Sequence, residues 1–122
     1  MRTTRTTIKA TNIEHTNAVD AYLTKRLAEL VRILEPKEQS ELARIELGKS
    51  TKHHRTGEVF FAEITFHVKK KDFRATATGA DLYEAIDKMQ AMIVREVKRH
   101  HDHARAERKK GGREFKRRVV RG

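Results

Sequence analysis

The sequence predicts an α+β domain in the order β-α-β-β-β-α, a four-stranded, mostly antiparallel sheet with two helices on its single apolar face, followed by a disordered basic C-terminal tail. Four short segments alternate apolar and polar residues with the period of a half-buried strand, and two longer ones repeat apolar residues at the three- and four-residue spacing of a helix that buries one side. The chain from Arg105 onward is dense in positive charge and nearly empty of apolar residues. At 122 residues and 37% hydrophobic content, one small domain can close a core and a second would not fit. The expected division is residues 1–104 as the folded domain and 105–122 as the tail.

Thr6 to Thr11 reads as the first strand, with Ile8 and Ala10 inward. Thr16 is placed to cap a helix running to about Leu34, with a stripe of Val19, Leu23, Leu27, Leu30 and Leu34 joined by Tyr22 and Val31; Pro36, the only proline, closes it. Leu42 to Lys49 reads as the second strand, with Ala43, Ile45 and Leu47 inward. The segment from Lys49 to Val59, with His53, His54 and Gly57, reads as a mobile basic loop. In the third strand Phe60, Ala62, Ile64, Phe66 and Val68 share one face. Lys70-Lys71-Asp72 is short enough for a hairpin into the fourth, Phe73 to Thr78, where Phe73, Ala75 and Ala77 point inward. Gly79 breaks that strand, Asp81 caps the next helix, and Glu84 three residues on completes a capping box. Leu82, Ile86, Met89, Ile93 and Val97 form its buried stripe, and it is expected to end near His103. The first two strands, joined through a helix, should be parallel neighbours.

The chain has no cysteine, hence no disulfide, thiolate nucleophile or Cys-based zinc site, which fits a reducing cytoplasm. No apolar run approaches the roughly 18 residues of a membrane span, and the start lacks the apolar stretch of a secretory signal. No phosphate-cradling glycine loop or nucleophile elbow is present, so no enzyme, cofactor or metal is expected. His100, His101 and His103 read as polar clustering near a helix end.

The charge points elsewhere. The chain carries +11, of which Arg105 to Gly122 contributes +7 from nine Lys and Arg against two Glu. A segment with so little to bury should be disordered alone, ordering on a polyanion. In the second helix, at about 100° per residue, Lys88, Arg95, Arg99 and, if the helix reaches that far, Arg105 are read as one stripe facing water, flanked by Lys98. Lys25, Arg26 and Arg32 add charge on the first helix, and Arg108, Lys109 and Lys110 carry it into the tail. Such a surface favours phosphate backbones through counterion release. Phe60, Phe66, Phe73, Tyr22 and Tyr83 fall on faces expected to be buried, leaving Phe61 and Phe115 exposed, too few for a base-stacking platform. Folded RNA recognised by shape and phosphate contacts is therefore the expected partner.

The string Ala77-Thr78-Gly79-Ala80-Asp81-Leu82-Tyr83-Glu84-Ala85-Ile86-Asp87, followed by Lys88 and Arg95, resembles the strand-into-helix signature of the short ribosome hibernation promoting factors, the group that includes the ribosome-associated inhibitor of stationary-phase bacteria. Ile13-Glu14-x-Thr16, Tyr22-Leu23 and Arg26-Leu27-Ala28 add to the resemblance, which spans roughly Thr7 to His101. It implies a fold like a double-stranded RNA-binding domain with an additional strand. It implies a factor that binds the small ribosomal subunit and its rRNA between head and body, overlaps the paths of mRNA and tRNA, and keeps the 70S ribosome idle. By position, Arg26, Lys88, Arg95 and Arg99 match basic positions the family turns towards ribosomal RNA. Two features depart from the family pattern: Asp20 and Glu29 stand where relatives often carry basic residues, and the tail is basic with no long-form dimerisation domain. A free monomer that does not itself pair ribosomes is the expectation. The alternatives are a general duplex RNA-binding module and, more remotely, a metal protein or RNA-processing enzyme using the histidines.

Overall fold

The computed structural model describes residues 5–35, 42–50, 59–68 and 71–121. Its elements are β1 (Arg5–Thr11), α1 (Asn17–Ile33), β2 (Leu42–Lys49), β3 (Phe60–Val68), β4 (Lys71–Gly79) and α2 (Leu82–Arg121), the expected order. The sheet runs β1-β2-β3-β4, with β1 parallel to β2 and the other neighbours antiparallel. Strand β4 opens at Lys71 rather than Phe73, because Lys71 and Asp72 already pair with Val68 and His67. The loop histidines His53 and His54, with Pro36, lie outside the described residues.

Alternation along the strands becomes rows across the sheet. Ile8, Ile45, Ile64 and Ala75 stand side by side in one row, and Ala10, Leu47, Ala62 and Ala77 in the next, all on the covered face. The small side chains of Ala62, Ala75 and Ala77 let α2 approach β3 and β4 closely, so that Ala85, Ile86, Met89, Ile93 and Val97 are wholly buried. Helix α1 packs beside α2 and adds Val19, Leu23, Leu27 and Leu30 to the same continuous core. Each such aliphatic side chain removed from water contributes about 1.5–3 kcal/mol, which binds both helices to one face.

Three features of the chain set the ends of these elements. Thr16 caps α1, its hydroxyl accepting the Val19 N–H at 3.2 Å. Asn12, at φ 60°, takes the left-handed turn that leaves β1, and its side-chain amide donates to the Lys49 carbonyl at 3.3 Å. At Gly48 a Cβ would lie 2.6 Å from both the Phe61 ring and the Thr11 carbonyl oxygen, so only glycine lets the ring fold down on the sheet. Phe61, expected to be exposed, is therefore half-buried.

Helix α2 does not end near His103 but continues to Arg121. Ala104 to Lys110 are strong helix formers, and a helix already nucleated by its packed half adds one hydrogen bond per further residue. Arg105 to Gly112 are all exposed, so this stretch is held by its own backbone and not by packing. Tyr83 is also corrected. It is 42% exposed, because the buried stripe starting at Leu82 turns the next residue outward, and it meets Tyr22 edge-on at 4.8 Å.

Candidate nucleic-acid interface

The strand-to-helix corner aims the basic helix. Asp81 Oδ1 accepts the Glu84 N–H at 2.8 Å, and the Glu84 carboxylate reaches back past the cap to the Ala80 N–H at 3.3 Å, a variant of the capping box. The hydrogen bond from Lys88, the Ala80 N–H and the Lys88 charge hold the Glu84 carboxyl below its usual range, against a small opposing effect of desolvation. Gly79 admits the first turn of α2: a Cβ there would sit 2.8 Å from the Ala85 nitrogen.

The second constraint is a polar tie between the helices. The Tyr22 hydroxyl donates to Asp87 Oδ1 at 2.5 Å, and Arg26 Nε donates to the same oxygen at 2.7 Å. The guanidinium carbon stands 5.5 Å from the Tyr22 ring centre, a cation–π contact. Partial burial works to raise the Asp87 pKa, but the hydrogen bonds from Tyr22 and Arg26 and the Arg26 charge hold it below the ordinary range. Arg26, expected among the RNA contacts, is thus first a link between α1 and α2, with its two terminal nitrogens making no hydrogen bond to other described residues.

Two grooves flank this tie. Lys25, Arg26, Glu29 and Arg32 line one, and Glu29, Gln90, Val94, Arg95, Lys98 and Arg99 line most of the other, a hollow of about 530 Å³. Lys25, Arg32, Arg95 and Lys98 make no ion pair among the described residues, so their charge is fully available to a ligand. The remaining cations are partly answered on their own helix: Lys88 by Glu84 at 2.8 Å, Arg99 by Glu96 at 3.3 Å and Arg105 by Asp102 at 2.5 Å. Such exposed pairs are worth well under about 1 kcal/mol and yield readily to phosphate.

Helical geometry sorts the expected residues by direction. Taking Lys88 as zero, Arg95 and Arg99 lie within about 20° of it and Lys98 about 80° to the groove side. Arg105 stands about 100° away on the groove side, in line with Lys98 and off the Lys88–Arg95–Arg99 line on which it is expected, and Arg108 points to the far side at about 160°. Lys109 and Lys110 return to within about 60°. The continuation of α2 therefore carries the stripe onward through Lys109 and Lys110 and not through Arg105 and Arg108.

The uncovered face of the sheet has a different character. Arg74 forks onto Glu63 at 3.1 Å to each oxygen, Thr76 donates to the same carboxylate, and Thr11 donates to Glu46. The hollow on this face is lined by three cations, Lys9, Arg44 and Arg74, against Glu46 and Glu63, whereas the two helix grooves are lined by six, Lys25, Arg26, Arg32, Arg95, Lys98 and Arg99, against Glu29 and Asp102. The histidines form no third surface: His100 packs edge-on against Phe73 at 5.3 Å, and no group of three or more His, Cys, Asp or Glu among the described residues could hold a metal ion. Nor is any described helix long and apolar enough to cross a membrane.

Glu29 and Gln90 are additions to the site. The signal for Gln90 is an amide inside the apolar stripe of α2, between Met89 and Ile93; it is 6% exposed and donates to Glu29 at 2.6 Å.

Comparison with known proteins agrees with this architecture. The crystal structure of the N-terminal domain of Protein Y from Thermus thermophilus superposes with a TM-score of 0.64 at 26% identity, over 79% of this chain and 98% of that one. A ribosomal subunit interface protein from Coxiella burnetii has a TM-score of 0.59 at 15% identity, over 78% of this chain and 97% of that one, and shares the fold. A search of curated proteins finds no match. The family model for Sigma 54 modulation protein / S30EA ribosomal protein matches residues 6–105, and the chain belongs to that family.

Proposed function

We propose that the protein is a ribosome hibernation factor that binds the small ribosomal subunit at the mRNA and tRNA decoding region and silences translation in idle cytoplasmic ribosomes. The observation that carries this reading is the concentration of cations along the α1/α2 grooves, where Lys25, Arg32, Arg95 and Lys98 make no ion pairs among the described residues, set against the fewer cations of the outer sheet face, where Glu63 holds Arg74. Membership of a ribosomal protein family and likeness to a protein described as sitting at a ribosomal subunit interface support the same partner.

The mechanism is occlusion. A rigid wedge needs no reacting group; it has to present cations at phosphate spacing and hold them while displacing a ligand. The buried stripe of α2 and the Tyr22–Asp87–Arg26 tie fix the two helices relative to each other, so little ordering entropy is lost on docking. Counterion release from rRNA supplies the attraction, and excluded volume blocks mRNA and tRNA. The exposed end of α2, with Lys109 and Lys110 on the same stripe, extends the contact.

The test is competition on purified small subunits. The protein should cosediment with them, be displaced by tRNA and mRNA, and bind them far more tightly than random duplex RNA at physiological salt. Equal affinity for both RNAs would favour a general duplex-RNA module, and undisturbed tRNA binding at saturation would contradict occlusion.

A further inference from the structure

Glu29 is out of place in a surface built only for phosphate. It belongs to both grooves, is exposed, and has cations on either side, yet makes no ion pair among the described residues and accepts one hydrogen bond, from the buried Gln90 amide at 2.6 Å. A free carboxylate repels a phosphate backbone. It suits a ligand that brings N–H donors next to its phosphate.

Resting on the RNA-binding reading above, we propose that the groove between α1 and α2 is a base-reading site in which Glu29 accepts the Watson–Crick edge of an unpaired guanine while Arg95, Lys98 and Arg99 hold its phosphate. Guanine alone among the RNA bases presents two adjacent donors, N1–H and the N2 amine, and these match the two oxygens of a carboxylate. Adenine and cytosine place a ring acceptor beside their amine, and uracil flanks its one N–H with carbonyls, so each sets a lone pair against Glu29. The groove, about 530 Å³, lies within the roughly 300–1,000 Å³ range of small-ligand pockets. Ala91 and Val94 give it an apolar wall for the base, and Gln90 orients the carboxylate from below. Asp102 at the far end is engaged by Arg105 and does not compete for the base.

The experiment measures the full chain against four RNA hairpins that differ only in one bulged nucleotide, at constant salt, with free GMP and AMP as competitors in a second arm. The wild type should prefer the guanine bulge by about tenfold, within the range of one bidentate base contact. Glu29→Gln keeps an acceptor for Gln90 but loses the charge and one acceptor oxygen; it should bind all four bulges within about twofold of one another, with its melting temperature unchanged. Glu29→Lys should bind all four more tightly and without preference. Stronger competition by GMP than by AMP supports the same site with a free nucleotide as its source. Equal binding of the four bulges by the wild type, or a guanine preference that survives Glu29→Gln, overturns the proposal while leaving phosphate recognition intact. Failure of every hairpin to bind overturns the base-reading proposal, while the ribosome-binding reading stands or falls separately on cosedimentation with small subunits.

Discussion

Tyr22 and Asp87, 65 positions apart in the chain, are joined by a 2.5 Å hydrogen bond from phenol to carboxylate, and Arg26 shares the same oxygen. One acidic side chain thereby sets the spacing of the two helices that carry the proposed RNA-binding cations. Asp87→Asn should lower stability by about 1 kcal/mol, the worth of a partly exposed charged hydrogen bond discounted for solvent, seen as a drop of about 4 °C in thermal midpoint. The pH dependence has a definite sign. Because the folded carboxyl sits below the ordinary 3.8, its contribution is complete above that pH and disappears as the pH falls through the folded value. The wild type should therefore lose stability below about pH 4 more steeply than Asp87→Asn.

The cap of α2 should prove a local and separable contribution. Asp81→Ala removes the acceptor for the Glu84 N–H and should cost about 1 kcal/mol in chemical denaturation. Asp81→Asn and Asp81→Ser should restore most of it.

Gly48 should tolerate no side chain. Gly48→Ala forces a Cβ against the Phe61 ring and the Thr11 carbonyl, and a cost of about 2 kcal/mol is expected. Adding Phe61→Ala should recover only part of the loss, because the Thr11 oxygen belongs to the backbone and remains in place. Denaturant midpoints of the single and double variants check this.

The direction of the arm's cations makes a sharper prediction than their number. Replacing Lys109 and Lys110 with Ala should reduce the slope of log affinity against log salt by about two, one per lost phosphate contact. Arg108→Ala, on the far side of α2, should leave it nearly unchanged.

The existence of all four strands, both helix starts, the parallel β1–β2 pair and the β3–β4 hairpin were legible in the sequence because each is written locally, in alternation, in Thr16 and in the Asp81–Glu84 box, whereas β4 begins two residues before the alternation suggests. The relations that depend on how helices meet were not. Arg26 reads as one more surface cation until Asp87 is placed beside it, 61 positions on, and Gln90 reads as an ordinary polar residue until it reaches Glu29, equally distant. The reach of α2 was missed for another reason: composition tells how much a segment can bury, but a helix anchored at one end continues on backbone hydrogen bonds alone. Arg105 falls off the stripe because seventeen residues at about 100° each leave it about 100° from Lys88, whereas the seven and eleven residues to Arg95 and Arg99 close nearly whole turns.

The most direct test of the central claim is to reverse charge on each face in turn and measure cosedimentation with purified small subunits. Arg95→Glu with Lys98→Glu, on the groove, should abolish binding at physiological salt, while Lys9→Glu with Arg44→Glu, on the outer sheet face, should leave it within about threefold of wild type. Loss of binding in the sheet-face variant with retention in the groove variant would contradict the assignment of the α1/α2 face as the ribosome-binding surface.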